Sequence, residues 1–268
     1  LVGTAAAVSL GHFRLLPFLA ALVAALLIQI GTNLANDYFD FRKGADSAAR
    51  TGPLRVSQSG LIAPGTVRRA AIFAFGLAAL AGMYLVAVGG WPILVIGILS
   101  IIGGVLYTGG PWPLGYNGLG DLLVFTFFGL IAVGGTFYLH AGSVEDMAIH
   151  AAIPVGLLAT AILVVNNLRD IESDRAAGKR TLAVLIGREA TQIQYLFFVA
   201  AAYVLVGTRL LFGPASGWFW LPWLTLPLAI PLLRAVINEE GRSLNPVLRG
   251  TAMLHLSFGV LFAVSLVI

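Results

Sequence analysis

Residues Leu15 to Asp40 read LLPFLAALVAALLIQIGTNLANDYFD. No charged side chain occurs between Leu15 and Asn36, and about 20 apolar residues suffice for a helix to cross the hydrocarbon core of a bilayer. The whole chain shares this character, because 59% of its 268 residues are hydrophobic, 10% are charged and the mean hydropathy is +0.93. Such a composition lies far outside the range of soluble domains, so the sequence predicts an all-α membrane protein.

Further charge-free runs of spanning length follow along the chain. The uncharged segment from Ala70 to Gly120 has room for two spans, with a turn at Gly89 to Pro92. The other runs are Leu122–Val144, Met147–Leu168, Ala190–Thr208, Leu210–Leu233 and Gly250–Ile268. Leu1 to Leu10 is too short to cross, and we interpret it as the end of a truncated first helix. A cleaved signal peptide is the alternative, but its basic start is absent. We therefore predict a single transmembrane domain, residues 1–268, of nine helices with the first truncated.

The basic residues predict the orientation in the membrane. Of the 16 lysines and arginines, Arg14 and Arg209 are predicted on one side and all others on the opposite side. The positive-inside rule places the basic side in the cytoplasm, so we expect a multi-pass protein of the cell membrane. Aromatic residues do not alternate with the basic ones, and nucleic acid is therefore not expected as a partner. Cysteine is absent, which excludes disulfides and thiolate metal sites.

Polar side chains mark the cytoplasmic ends of two predicted helices. At the first end they stand at i, i+3, i+4 and i+7, which puts them on one helical face: Asn33, Asn36, Asp37 and Asp40. At the second end, which shares the same side of the membrane, they are Asn166, Asn167, Asp170 and Asp174. Four positions recur at a constant offset of 130, namely Asn36, Asp40, Arg50 and Thr51 as Asn166, Asp170, Arg180 and Thr181. This repeat predicts a paired site.

The residue types indicate what the paired site binds. Carboxylates at a membrane boundary are costly to desolvate and tend to pair or bind ions, and oxygen ligands suit Mg²⁺. Asp46, in the loop after the first end, is a further candidate ligand. Arg50, Lys179 and Arg180 follow the acidic faces and can bind phosphate oxygens, although each is also explained by the positive-inside rule. We interpret the site as one where Mg²⁺ holds a diphosphate and stabilises it as a leaving group.

These motifs resemble those of the UbiA-type intramembrane prenyltransferases. Asn36, Asp37 and Asp40 match the first positions of the family's Asn-Asp-x-x-Asp-x-x-x-Asp motif. Asp170 and Asp174 match its Asp-x-x-x-Asp motif. Gly44 stands where the first motif has its last Asp, and Asp46 comes two residues later. The chain looks most like the branch that prenylates 1,4-dihydroxy-2-naphthoate in menaquinone synthesis. The stretches that carry this likeness are Asn33–Asp46, Arg50–Leu61, Tyr107–Asp121 and Asn166–Gly187.

The resemblance implies a fold of nine helices and a set of residue roles. Mg²⁺ is implied at Asn36, Asp37, Asp40, Asp46, Asn166, Asp170 and Asp174, and a polyprenyl diphosphate at Asn33, Asn36, Arg50, Lys179 and Arg180. The aromatic acceptor attacks the allylic cation and loses CO₂, which yields a demethylmenaquinol. Asp121 and Tyr107 border a Gly- and Pro-rich loop and are candidates to orient the acceptor hydroxyls or accept a proton, although both are also ordinary helix-end residues.

Three other functions fit parts of the pattern. An ion-coupled transporter also uses intramembrane Asp and Asn, but such sites usually lie near the midplane rather than at helix ends followed by basic loops. A phosphotransferase for nucleotide-linked head groups would carry an Asp-Gly-x-x-Ala-Arg string, which is absent. A sister prenyltransferase with another acceptor, such as 4-hydroxybenzoate, is the nearest alternative.

Overall fold

The computed structural model of the protein describes residues 1–44, 52, 55–212 and 218–268. Within these ranges all regular structure is helical, which confirms the all-α prediction. The α-helices are α1 (Val2–Val8), α2 (Leu15–Arg42), α3 (Pro64–Gly89), α4 (Trp91–Leu106), α5 (Gly120–Val124), α6 (Ala132–Ala141), α7 (Asp146–Ala176), α8 (Leu182–Ile186), α9 (Arg188–Phe212), α10 (Leu226–Asn238) and α11 (Leu244–Val267). A π-helical segment, Phe125–Ile131, joins α5 to α6.

Seven helical segments of the described chain are long and apolar enough to cross a membrane. They are Leu15–Arg42, Pro64–Gly89, Gly120–Ala141, Asp146–Ala176, Arg188–Arg209, Leu221–Asn238 and Gly241–Val267. Helix α4 is apolar but shorter, and α1 is shorter still. The protein is therefore an integral, multi-pass membrane protein, while the predicted number of nine spans remains a prediction.

The run Leu210–Leu233 was predicted to hold a span of its own. The structure agrees, because Arg188–Arg209 and Leu221–Asn238 are separate candidate spans. The helical backbone of α9 continues past Arg209 to Phe212, and the next span begins with a 3-10 turn at Leu221.

The chain forms two compact units. The first unit comprises Leu1–Arg14, Asp121–Arg169 and Ile186–Ile268, and the second comprises Leu15–Gly120 and Asp170–Leu185. The prediction of one domain over the whole chain remains a prediction.

The first unit contains the most buried helical segment. Most of the apolar part of α7 is buried, and its Gly156 lies directly against the π-helical segment. A Cβ atom on Gly129 would come within 2.6 Å of the Gly156 Cα atom, so neither helix can carry a side chain at this crossing. Small residues allow backbones to approach in this way where lipid gives no hydrophobic driving force between helices. This close contact is sufficient to explain the glycines at positions 129 and 156, so neither needs a role in catalysis.

The second unit is built on the pairing of α2 with α3. The ring of Phe75 on α3 fills the space in front of Gly31 on α2. Many large apolar side chains of both helices are exposed, as expected for surfaces that face lipid. The polar end of α2 is different, because Asp37 and Asp40 are both buried. This end and the residues that cover it form the candidate site.

Candidate active site

Asp37 anchors a loop that follows α2. Its carboxylate accepts two backbone hydrogen bonds, from the N–H groups of Val56 at 3.0 Å and Ser57 at 3.1 Å. Asp37 is thus buried with charge-assisted bonds to both oxygens, which is how a buried carboxylate avoids the cost of desolvation. Each oxygen keeps a second lone pair for another partner. The Ser57 hydroxyl is also buried and has no hydrogen-bond partner in the described chain.

Asp40 lies one helical turn further and is held from three separate segments. The Tyr116 hydroxyl donates a hydrogen bond to Asp40 Oδ1. The Arg55 guanidinium lies 3.6 Å from Oδ2, and the Lys179 ammonium lies 3.8 Å from Oδ1. Only 5% of the Asp40 side chain is exposed. In such a partly buried position, charge pairs are screened far less than at an open surface.

Lys179 links the two acidic motifs. Its ammonium lies 3.8 Å from Asp174 Oδ1, the same distance as from Asp40. The loop that carries it is fixed by two backbone hydrogen bonds, from the Lys179 N–H to the Asp174 carbonyl and from the Arg180 N–H to the Tyr116 carbonyl, each 2.8 Å long. One carboxylate from each motif therefore contacts a single cation, while the paired metal site remains a prediction.

The ring of Tyr116 lies between two ammonium groups. Lys179 Nζ is 4.7 Å and Lys43 Nζ is 5.2 Å from the ring centroid, both within the range of a cation–π interaction. Lys43 also donates to the carbonyl oxygens of Thr108 at 2.7 Å and Gly110 at 3.2 Å. Partial desolvation lowers the pKa of the Lys43 ammonium, and the Asp40 carboxylate opposes that shift.

The remaining predicted residues of the second unit lie around this cluster in different environments. Asn36 accepts a hydrogen bond from the Thr108 hydroxyl at 2.8 Å. Asn33 and the Arg180 side chain are exposed, and Asp170 is half-buried. The peptide N–H of Gly115 bonds to the Tyr107 carbonyl, so Tyr107 helps to position the loop that carries Tyr116. Asp46 and Arg50 lie outside the described residues.

Asn166 and Asp121 belong to the first unit. Asn166 Oδ1 accepts a hydrogen bond from Arg169 at 2.8 Å, and Arg169 also binds Asn245 at 2.9 Å. The amide oxygen that a metal ion would need is thus bonded to a guanidinium. Asp121 is buried, and its Oδ1 accepts a hydrogen bond from Gln194 at 3.1 Å. Its Oδ2 is buried without a partner among the described residues, which leaves an acceptor available for a hydroxyl group.

The arrangement can be tested against the chemistry of Mg²⁺. In the described ranges, no group of three or more acidic or histidine side chains surrounds a common point. Mg²⁺ needs no such cage, because it usually takes one or two protein carboxylates and completes its shell with water and phosphate. Asp40 and Asp174 already share one cation, the Lys179 ammonium, and both offer oxygen ligands. The donor set therefore fits Mg²⁺, whereas the larger predicted ligand set remains a prediction.

Several residues of these clusters were not predicted as site residues. Among them are Arg55, Ser57, Tyr116 and Gln194, and also Lys43, which lies over the Tyr116 ring. The run from Arg50 to Leu61 and the loop from Tyr107 to Asp121 were both part of the resemblance, so a signal existed for the first three. Gln194 lies on α9, outside every stretch that carried the resemblance.

Comparison with known proteins assigns the family. The model of the UbiA prenyltransferase family matches residues 1–258. The chain is 41% identical to the 1,4-dihydroxy-2-naphthoate octaprenyltransferase of Escherichia coli, an alignment that covers 99% of this chain and 89% of that protein. It is 33% identical to the Bacillus subtilis protein of the same name, over 100% of this chain and 86% of that one.

The fold has counterparts among solved structures. A UbiA homologue from Archaeoglobus fulgidus, bound to DMAPP and Mg²⁺, matches with a TM-score of 0.66 over 99% of this chain and 93% of that chain, at 16% identity. A digeranylgeranylglyceryl phosphate synthase matches with a TM-score of 0.64, over 99% of this chain and 91% of that chain, at 15% identity. The helical fold, the two acidic motifs and the family match agree, and the chain belongs to the UbiA prenyltransferase family.

Proposed function

We propose that the protein joins a polyprenyl diphosphate to 1,4-dihydroxy-2-naphthoate, releasing diphosphate and CO₂ and giving the demethylmenaquinol of menaquinone biosynthesis. The observation that carries this proposal is the 41% identity to the Escherichia coli 1,4-dihydroxy-2-naphthoate octaprenyltransferase over nearly the whole chain. The cluster of Asp40, Asp174 and Lys179 supports it, because a diphosphate needs both metal-binding carboxylates and cations.

Asp40 and Asp174 are the proposed first ligands of Mg²⁺, with Asp37 and Asp170 beside them. Mg²⁺, when bound, neutralises charge on the diphosphate and so makes it a better leaving group. Lys179, whose ammonium contacts both carboxylates, would bind the diphosphate oxygens. Arg55 and the exposed Arg180 are placed to contribute further charge from the same unit.

The reaction balances without a net proton transfer. The bond between the allylic carbon and the diphosphate oxygen breaks, and the electron pair leaves with the diphosphate. The ring carbon that carries the carboxylate forms the new C–C bond to the allylic carbon. The carboxylate then departs as CO₂, and the electrons of that C–C bond restore the aromatic ring.

Asp121 and Tyr107 are proposed to act on the acceptor. The unpartnered Asp121 Oδ2 can accept a hydrogen bond from a naphthoate hydroxyl, which raises the electron density of the ring. Gln194 occupies the other oxygen and fixes the rotamer of the carboxylate. Gln194 is therefore proposed as a positioning residue, and Asp121 is proposed as the residue that contacts the substrate.

We propose further that the site faces the cytoplasm, on the grounds of the positive-inside rule. Because the chain has no cysteine, single cysteines give a clean topology test. A cysteine at the exposed Ala176 should react with a membrane-impermeant maleimide only from the cytoplasm, and one at the exposed Ser143 only from the opposite side. The reverse labelling would invert the proposed orientation.

The decisive experiment for activity is an acceptor panel with the purified protein, Mg²⁺ and a labelled prenyl diphosphate. Octaprenyl diphosphate is the first donor to test, since the relatives are named for it. We expect 1,4-dihydroxy-2-naphthoate to be used at least about tenfold better than 4-hydroxybenzoate, with CO₂ released. EDTA should stop turnover and added Mg²⁺ restore it.

The same panel separates the alternatives. Turnover of 4-hydroxybenzoate without naphthoate product would identify a sister prenyltransferase and leave the diphosphate site intact. Absence of any prenyl transfer, together with uptake of an ion by proteoliposomes, would favour the transporter. The family match supports an enzyme over a transporter.

A further inference from the structure

A cavity of about 700 Å³ lies within the first unit. Its lining is Ser9, Leu10, Glu145, Asp146, Met147, Arg209, Phe219, Leu266, Val267 and Ile268. Three candidate membrane spans have one end at this cavity. One span begins at Asp146, and the other two end at Arg209 and Val267. The cavity therefore lies at the level where lipid head groups meet the hydrocarbon core. Its volume is in the range of small-molecule binding sites.

The polar side chains of the lining are not paired with one another. Arg209 is half-buried, its Nε atom is buried, and that atom has no hydrogen-bond partner among the described residues. Within the same part of the chain, Arg209 forms no ion pair with Glu145 or Asp146, whose side chains are exposed. A buried polar atom without a partner costs stability, and an arginine beside two carboxylates would normally recover that cost by pairing.

The distribution of charge indicates the class of ligand. A cavity that keeps an arginine and two carboxylates apart suits a molecule with a negative and a positive group at separate positions. Apolar residues such as Leu10, Met147 and Phe219 make up much of the remaining lining, which suits a hydrocarbon chain. A molecule that combines these properties at a membrane boundary is a zwitterionic phospholipid.

We propose that this cavity binds a phospholipid with an ethanolamine head group, its phosphate at Arg209 and its ammonium at Glu145 and Asp146. Guanidinium groups bind phosphate oxygens in a bidentate manner. The carboxylates can accept hydrogen bonds from a primary ammonium, whereas the quaternary ammonium of choline has no hydrogen to donate. Asp146 begins α7, and no residue of the cavity lining belongs to the residues proposed for prenyl transfer.

The test is native mass spectrometry of the full-length protein released from mixed micelles. Three lipids with identical acyl chains are compared: phosphatidylethanolamine, phosphatidylcholine and phosphatidylglycerol. We expect phosphatidylethanolamine to be retained about tenfold more strongly than the other two, because only its head group combines a phosphate for Arg209 with an ammonium that donates hydrogen bonds to the carboxylates. Equal or stronger retention of phosphatidylglycerol or phosphatidylcholine would overturn the proposal.

Variants locate the site on the protein. Arg209→Gln should reduce the retention of phosphatidylethanolamine about tenfold, to the level of phosphatidylcholine. Arg188→Gln, the same change at the other end of α9, is the matched control and should leave retention unchanged, since Arg188 pairs with Glu240. An unchanged preference in Arg209→Gln would refute the assignment.

A second variant keeps the test informative if Arg209→Gln does not fold. Glu145→Gln with Asp146→Asn changes only exposed side chains, and it should lower retention of phosphatidylethanolamine but not of phosphatidylglycerol. Free phosphoethanolamine at the same concentration should not compete with the lipid, because it lacks the acyl chains. Full competition would identify a soluble zwitterion as the ligand and overturn the lipid proposal. Prenyl transfer by these variants should equal that of the parent protein.

Discussion

At the end of α2, Asp40 is 5% exposed and contacts Tyr116, Arg55 and Lys179, whereas near the end of α7, Asp174 is 13% exposed and contacts that same Lys179. The two helix ends repeat each other in sequence at an offset of 130. In space they are not equivalent: the repeat pairs Asp40 with Asp170, and Asp40 is buried whereas Asp170 is half-buried. Asp174 lies outside the repeat. A repeated motif can thus supply one fixed carboxylate and one that is more accessible to an arriving ion.

The largest effect is expected at the enclosed end. Asp40→Asn should lower prenyl transfer by about 10²- to 10³-fold, because it removes the charge of a proposed metal ligand and leaves Arg55 and Lys179 without their shared counter-charge. Activity is measured under saturating donor and acceptor, with the thermal midpoint of the purified protein as the folding check. Glu172→Gln is the matched control on α7, since Glu172 is exposed and pairs with Arg175. The proposed role requires a loss of activity of at least about 10²-fold. If Asp40→Asn kept an activity within about threefold of the control, that role would be contradicted.

A smaller effect is expected at the cation that joins the two ends. Lys179→Met should raise the KM for the prenyl diphosphate about tenfold or more, because the diphosphate loses a charge-assisted contact. Arg175→Met is the control from the same part of the chain, where the arginine is exposed. If both variants shifted KM equally, the effect would come from general charge and not from the link between Asp40 and Asp174.

Asp37→Asn distinguishes a loop anchor from a metal ligand. Asparagine has one acceptor oxygen, so one of the two backbone hydrogen bonds is lost, at a cost of about 1.5–3 kcal/mol. We expect activity to fall about tenfold and cleavage by trypsin after Arg55 to become faster. Loss of activity without faster cleavage would instead assign Asp37 to the metal, as the sequence predicted.

The smallest effect is expected for the phenol that covers Asp40. Tyr116→Phe removes one hydrogen bond but keeps the ring between the two lysines, so activity should fall about fivefold, which corresponds to about 1 kcal/mol. Tyr116→Leu also removes the cation–π contacts and should cost about as much again. Equal activity of the two variants would show that the ring contributes nothing beyond its hydroxyl.

Local pattern explains which parts of the fold and site were predictable. The i, i+3, i+4, i+7 spacing of Asn33 to Asp40 is a property of one helix, and it correctly grouped the two buried carboxylates. Tyr116 and Arg55 contact Asp40 from loops, and a loop has no periodic sequence pattern from which such a contact could be predicted. The start of the next span at Leu221 was not predictable for a similar reason, because the run Leu210–Leu233 has no charged residue that marks it.

The charges of the second unit have a consequence for the response to salt. Three carboxylates, Asp37, Asp40 and Asp174, lie among three cations, Lys43, Arg55 and Lys179, so this described cluster is close to neutral before any substrate arrives. When a diphosphate binds with its metal ion, the carboxylates and cations of this cluster would exchange their present partners for the metal ion and the phosphate oxygens. The diphosphate would not enter an open basic groove. Screening by added salt weakens both sets together. The KM for the donor should therefore change only slightly with ionic strength, unlike the steep dependence of proteins that attract anions with an unbalanced positive surface.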